Sequence, residues 1–479
     1  MHGEMLIDGH FIGGPCDQRV PKAVVRSPFD GRVVGTAAEG DESALMTAIS
    51  AADEAFQTWQ HSTATERSAI LRRASDLIRA RRSELAALLV DEIGKPIVLA
   101  EAEVDRMAIT FGLAADLAGN AKPERLSLDF DPRGSSYTCE VERFPIGPIL
   151  AIVPYNWPYN LTAHKVAPAL ATGNTVVVKP SPQALLSTYA LGRMLHECGA
   201  PPGVVNVVDA PIPAVQRACQ DPRIKMVSFT GSDSVGWPLK AALPAETRCV
   251  LELGGDATAI VCADADIEWA VERLTLGAFG YAGQICISLQ HALMHESIFA
   301  RACERLAAAA KACPTGDPKL RETLCGPLIS STAADRVESW IQEAAAGGAQ
   351  RLADGERRGN IVPPCVLVDV PDSTRVATKE IFGPVLTVDR FRTVDEAIER
   401  VNGSRYGLQA SVFTRDLAIE EQCYRAIMTG AVIANDHPAI RFDNYPYGGE
   451  KFSGFGREGV EAAMGEMSSP RARVRRSAT

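Results

Sequence analysis

The chain lacks what a disulfide framework or a metal knuckle requires. Twelve cysteines are scattered through 479 residues with no C-x-x-C pair, a distribution that suggests neither a stapled scaffold nor a zinc site. H-E-x-x-H is missing too. His291 and His295 stand four apart, but "SLQHALMHES" alternates like a strand, and no metal is expected. Long apolar runs are absent: none approaches the roughly 18 residues of a membrane helix. No N-terminal stretch combines the basic, apolar and small-residue regions of a signal peptide, so a cytoplasmic location is expected. Positive charge is also scarce. The formal net charge is −10 and the one basic cluster is "RARVRR", Arg471 to Arg476, which argues against nucleic acid or an anionic membrane as partner.

What is present is the material of a large folded protein. Hydrophobic residues make up 46% and charged residues 23%, ordinary for a globular chain too long for one core. The first forty residues hold short β-prone runs broken by Asp8-Gly9 and Asp30-Gly31, both hairpin signals. Helical periodicity then predicts helices over Asp41–Trp59, Thr63–Ile93 and Ile97–Ala118, the second opened by the capping box "TATE".

"SSYTCEVERFP" and the tail "RARVR" alternate apolar with polar, and two such isolated amphipathic strands suggest an intersubunit sheet. Between Gly147 and Gly255 the apolar runs "GPILAIVPY", "NTVVVKPS", "GVVNVVD", "IKMVSFTG" and "RCVLELGG" alternate with helical segments. Runs this continuously apolar are buried on both faces of a parallel, doubly wound sheet. A second α/β region follows to about Asp436, with helices expected near Asp266–Gly280, Ile298–Cys313, Thr393–Asn402 and Asp416–Gly430.

"GFGREG", Gly454 to Gly459, spells the glycine fingerprint of dinucleotide-binding turns. A polar, turn-rich run with Pro446 precedes it and only twenty residues follow. Without a feeding strand and a long crossover helix the motif has no physical content; its glycines are read as allowing a close backbone approach. Ligands of parallel sheets sit instead at the strands' C-terminal edge. There "VVVKPSP" delivers Lys179, and "FTGSDSVG" places Gly231 and Ser232 ahead of a helix start, a seat for pyrophosphate. "LELGG" puts Glu252 inside an apolar strand, where a carboxylate either pairs with a cation or serves as a base facing a cleft. "GAFGYAGQICISLQ" places Cys286 after a glycine-bearing turn, entering what reads as a strand; the residue is either a buried small side chain or a nucleophile.

In their order, "PYNWP", "VVVKPS", "SFTGSDSVG", "LELGG", "GYAGQICIS", "KEIFGPVL" and "PYGGEKFSGFGREG" resemble the motifs of the aldehyde dehydrogenase superfamily. The likeness runs from about residue 5 to about 467, and LELGG followed thirty-four residues later by the cysteine of GQxC is its most specific part. It implies an α/β fold: a Rossmann-like doubly wound sheet for the cofactor, a second α/β catalytic domain and a small β oligomerisation flap. The implied division is 1–122 and 144–253 for the dinucleotide, 254–449 for catalysis, and 123–143 with 450–479 for oligomerisation strands and the C-terminal segment.

The resemblance also implies roles. Cys286 would attack the aldehyde as a thiolate, with the Asn156 amide and the Cys286 N–H holding the oxyanion. Glu252 would activate water on the thioester. Lys179 would reach the adenosine ribose, Gly231 and Ser232 the pyrophosphate, and Glu380 with Phe382 beside it the nicotinamide ribose; Ser181 and Gly254 would also bind the cofactor. "GFGREG" becomes a C-terminal loop near the substrate side. The cofactor implied is NAD(P)+. Many NAD-preferring members carry a glutamate where this chain has Pro182, so NADP is expected to be tolerated or preferred.

Arg106, Trp157, Ile285 and Arg441 fall at substrate positions of the branch that includes lactaldehyde, phosphonoacetaldehyde and non-phosphorylating glyceraldehyde-3-phosphate dehydrogenases. The last has an arginine where Ile285 stands and a tyrosine where Trp157 stands. A short, hydroxylated or anionic aldehyde therefore fits better than a phosphorylated triose. Each arginine has the alternative of an ordinary ion pair. The partners implied are a small aldehyde and further copies of the chain, as homodimer or homotetramer. Two other readings compete: acyl transfer to coenzyme A, disfavoured by Glu252, and a non-catalytic NAD(P)-binding protein of the same fold.

Overall fold

The structure, a computed structural model, describes residues 1–120 and 122–476. Its largest sheet has eight strands, in the order Gly454–Phe455, Arg248–Glu252, Met226–Thr230, Ile149–Ile152, Val176–Lys179, Val205–Val207, Met5–Ile7, His10–Ile12. The five from Arg248–Glu252 to Val205–Val207 are parallel. These are the five apolar runs of the sequence, and Val176–Lys179 and Met226–Thr230 are buried at every position. Helices cover both faces, as burial of both faces demands. The antiparallel hairpin at the sheet's edge turns at Asp8 and Gly9, both at positive φ, the turn geometry that Asp-Gly favours. The second signal, Asp30-Gly31, joins antiparallel strands Lys22–Arg26 and Val33–Ala38.

A second sheet has seven strands, ordered Gln350–Ala353, Cys365–Val368, Val385–Phe391, His291–His295, Thr258–Val261, Gln409–Phe413, Ala431–Ala434. All its pairings are parallel except that of Gln350–Ala353. The four expected helices are formed, and Ser331–Ala346 adds one that the sequence reading passed over.

Three expectations need correction. The second predicted helix is two, Ala64–Ala80 and Arg82–Ile93, because Arg81 leaves helical geometry at φ −100, ψ 16. The two amphipathic strands, read as isolated, pair with each other: Tyr137–Pro145 and Ser468–Arg476 run antiparallel over nine positions, with Glu124–Leu126 on the far side. Cys286 lies in a turn, not in a strand, which begins only at His291.

Candidate functional site

Cys286 sits where the two large sheets meet. Its loop is built by backbone that non-glycine residues seldom adopt: Tyr281 and Ala282 both hold positive φ, followed by Gly283. Such strain persists only where surroundings over-determine it, and here Gln284 does so. Fully buried, its side-chain amide donates to the carbonyls of Tyr281 and Pro327, each at 3.2 Å, and its carbonyl accepts from the Ile329 N–H at 2.9 Å. Its backbone carbonyl accepts from Asn156 Nδ2 at 2.9 Å, leaving the second N–H of that amide free. Gly255 lies against the loop so closely that a Cβ there would meet the Cys286 carbonyl at 2.6 Å.

The cysteine remains half-buried, beside Ile285, Tyr445 and Tyr447. Its Sγ lies 3.3 Å from the Tyr447 hydroxyl. Burial pushes the thiol up to about 11, and the Tyr447 hydrogen bond offsets part of that rise.

Glu252 ends its strand with both carboxylate oxygens buried and without a hydrogen-bond partner. Burial raises its pKa well above the usual value and the neighbouring Glu458 raises it further. The ion-paired alternative therefore fails for this residue. Gly448 makes room for it, since a Cβ there would come within 3.0 Å of Oε1. Glu458 belongs to "GFGREG". Lys165 holds it at 2.7 Å and Arg441 at 3.3 Å. The fingerprint glycines serve close approach, with Gly454 paired opposite Glu252 across an antiparallel ladder.

Both candidate arginines have carboxylate partners. Arg106 forks onto Asp443 at 2.6 and 3.2 Å, and Asp443 also takes His164 at 2.8 Å and Asn160 at 3.2 Å. Burial pushes His164 down to about 4, so it is neutral. Arg441, almost wholly buried, stacks 3.7 Å over the Tyr447 ring and leaves Nε buried without a partner. Trp157 lies between two cations, Lys95 Nζ at 3.8 Å and the Arg106 guanidinium at 5.5 Å from its ring centre. Lys95 is fully buried and paired with Glu103, whose other oxygen receives the N–H groups of Tyr159 and Asn160 at the start of helix Pro158–Thr172.

At the parallel sheet's C-terminal edge stand the expected cofactor residues. Helix Asp233–Ala242 starts after Gly231 and Ser232; the Ser232 side chain caps none of its amides, and Asp233 accepts the Ser234 N–H at 2.9 Å. The Thr230 hydroxyl beside it is buried and unpartnered. Gly254 lies under the Glu380 carboxylate, where a Cβ would approach to 2.5 Å. Glu380 accepts the Gly255 N–H at 3.1 Å, and burial raises it to about 8. Phe382 holds positive φ and meets Tyr155 edge to face. Lys179 Nζ stands 3.5 Å from Asp209, and Ser181 follows it, partly exposed, with Pro182 on the surface. Open helix amides, orphaned oxygens and glycine-lined walls fit a dinucleotide.

Cys286, Asn156, Glu252, Ile285 and Arg441 are thus gathered about one sulfur, while Arg106 and Trp157 flank the start of helix Pro158–Thr172. Sequence reasoning missed Tyr447, Gln284, Lys165, Asp443, Glu458 and Asp209. Tyr447, Gln284 and Glu458 stood inside quoted motifs without being given a role, and Lys165 is a charge inside "LTAHKVAPALA", an otherwise apolar run.

The aldehyde dehydrogenase family matches residues 17–472. The chain is 32% identical over 464 residues to the 3-sulfolactaldehyde dehydrogenase of Priestia megaterium, covering 97% of each. Among solved structures it resembles aldehyde dehydrogenase 21 of Physcomitrella patens in complex with the reaction product succinate, with a TM-score of 0.95 and 35% identity over 99% of this chain and 98% of that one. The NADP-dependent glyceraldehyde-3-phosphate dehydrogenase of Bacillus halodurans, complexed with NADP, gives a TM-score of 0.95 and 32% identity over the full length of both.

The chain belongs to the aldehyde dehydrogenase family. It is an oxidoreductase that uses NAD(P). Among the described residues no helix is long and apolar enough to cross a membrane.

Proposed function

We propose that this protein oxidises a short aldehyde bearing a single negative charge, or a hydroxyl, to its carboxylic acid. The observation that carries the reading is the charge around Trp157 and Tyr447. Four cationic side chains, Lys95, Arg106, Lys165 and Arg441, face the three carboxylates paired with them, Glu103, Asp443 and Glu458, while burial disfavours charge on Glu252 and on His164. One positive charge is left over, which a carboxylate or sulfonate monoanion balances and a phosphate dianion exceeds. The free Nε of Arg441 supplies a donor. A relative named for sulfolactaldehyde, and one complexed with the reaction product succinate, whose parent aldehyde carries a single carboxylate, support a monoanionic substrate.

The residues divide the work as follows. Cys286 passes its proton to solvent and its sulfur bonds the carbonyl carbon as the C=O π pair moves onto oxygen; the oxyanion is received by the free N–H of Asn156 Nδ2 and the Cys286 backbone N–H. NAD(P)+, when bound, accepts the hydride. Lys179 and Ser181 meet its adenosine ribose, the amides after Gly231 and Ser232 its pyrophosphate, and Glu380 and Phe382 its nicotinamide side. Glu252 takes a proton from water as that water attacks the thioester, and the Cys286 sulfur leaves with the acid released. Pro182 removes one carboxylate that would repel a 2′-phosphate, so NADP is admitted. We read 1–122 with 144–253 as the dinucleotide domain, 254–449 as the catalytic domain, and 123–143 with 450–479 as the oligomerising part of a homodimer or homotetramer.

An aldehyde panel tests the substrate class. Succinic semialdehyde, sulfoacetaldehyde, lactaldehyde, glyceraldehyde 3-phosphate and butanal are to be compared with both cofactors and no coenzyme A. The monoanions are expected to exceed butanal at least tenfold in kcat/KM, with lactaldehyde between. Equal rates for charged and neutral substrates would discard the charge argument, and a strict need for coenzyme A would discard hydrolysis.

A further inference from the structure

Pro182 removes a carboxylate from the adenosine end, but the neighbouring strand supplies another. Val205–Val207 runs parallel to Val176–Lys179, with Val207 opposite Val178. Just past that strand's end, Asp209 brings its carboxylate to 3.5 Å from Lys179 Nζ. Both side chains are nearly buried, at 13% and 10% exposure. At this distance Oδ1 has a charge beside it but no hydrogen bond, and it is buried and unpartnered. A buried carboxylate oxygen without a donor is costly. The cost is relieved by a hydroxyl arriving from outside at the edge where parallel sheets take nucleotides.

An acidic residue at the end of a neighbouring strand is how such sheets receive a ribose 2′-hydroxyl. A 2′-phosphate would offer no donor in its dianionic form and would add like charge. Lys179 cannot fully compensate, because Asp209 already balances its ammonium.

We propose that Asp209 sets cofactor choice. Its carboxylate receives the adenosine ribose hydroxyl and disfavours the 2′-phosphate, so the protein prefers NAD+ even though Pro182 leaves NADP+ admissible. The inference rests on the reading that Lys179 faces the adenosine ribose.

Equilibrium titration of NADH and NADPH, by nicotinamide fluorescence, tests it without any aldehyde. The unmodified protein should bind NADH at least tenfold more tightly than NADPH. Asp209→Asn should reduce that ratio at least tenfold, chiefly by tightening NADPH, while Asp209→Glu should keep the NADH preference. Melting curves identify a variant that fails to fold, and Asp209→Ser is then the substitute. Tighter NADPH binding by the unmodified protein would overturn the proposal. So would a parallel loss of both cofactors in Asp209→Asn, the outcome if Asp209 only holds Lys179 in place. If the unmodified protein bound neither nucleotide, the cofactor reading of this sheet edge would itself fall.

Discussion

Burial pushes the Cys286 thiol up to about 11, so its reactivity is governed by what stabilises the thiolate. Within hydrogen-bonding distance that is the Tyr447 hydroxyl, 3.3 Å away. Tyr447→Phe removes a donor that lowers the thiol pKa. The pH limb of iodoacetamide alkylation should therefore move upward, with slower alkylation at any fixed pH below it; an unmoved limb would take Tyr447 out of the account. Glu252 is governed by the opposite sign. Burial and Glu458 raise its pKa, so its base form grows as pH rises, and deacylation should accelerate on the alkaline side. Glu252→Gln should give a stoichiometric burst of reduced cofactor followed by a steady state slower by roughly 10²–10⁴. Full steady turnover in that variant would mean another group activates the water.

At the scale of elements, glycines let backbone close in on Glu252 and on the Cys286 loop. The strand Gly454–Phe455 lies against Leu251 and Glu252, and a Cβ at Gly454 would stand 2.5 Å from the Leu251 carbonyl. Neither backbone can yield without breaking the pairing. Gly454→Ala should cost about 1–3 kcal/mol, as overpacking does, and should lower turnover through Glu252; thermal melting and kcat read the two effects. An unchanged melting temperature would show that the strand has freedom the packing denies.

Much of this was legible. Five apolar runs announced five parallel strands, and Asp8-Gly9 announced its hairpin, because burial of two faces and a left-handed turn each leave a local mark. The break at Arg81 left none: "RARRSEL" contains neither glycine nor proline, and one residue's rotation separates the helices. The turn around Cys286 was hidden for a related reason. Tyr281 and Ala282 are residues no local rule places at positive φ, and they are held there by Gln284 contacts with segments more than forty residues away. Site residues followed the same division. Cys286, Glu252 and Asn156 lie in motifs that single them out, whereas Asp443 and Asp209, and Tyr447 although it lies within "PYGGEKFSGFGREG", matter through neighbours that only the fold provides.

At the scale of the whole molecule, one surface is unfinished. In the small three-stranded sheet Leu126, Cys139 and Val474 stand opposite one another in register, and Tyr137 continues the same face two residues on. The other face carries Arg125, Glu140, Glu142 and Arg473, tied by ion pairs between 3.3 and 3.9 Å. A charged face suits water. The apolar one does not, for Leu126 is 43% and Val474 59% exposed, with Phe130 nearby in sequence at 87%. The strand Ser468–Arg476 also has an outer edge with no neighbour among the described residues, the kind of edge that pairs with another copy or must be defended. Three of its four arginines, Arg471, Arg473 and Arg475, lie on the charged face, and Arg476, opposite Tyr137, stands at the end of the apolar one. Leu126→Asp combined with Val474→Asp puts two charges onto that side without touching the large sheets. Light scattering should show the unmodified protein as a multiple of the 51.2 kDa chain, and the double variant should fall toward a single chain while keeping its cofactor affinity. An unmodified protein that ran as one chain would mean this sheet's exposed side chains are tolerated by water alone, and the alternation that drew attention to "SSYTCEVERFP" would then have no partner to explain it.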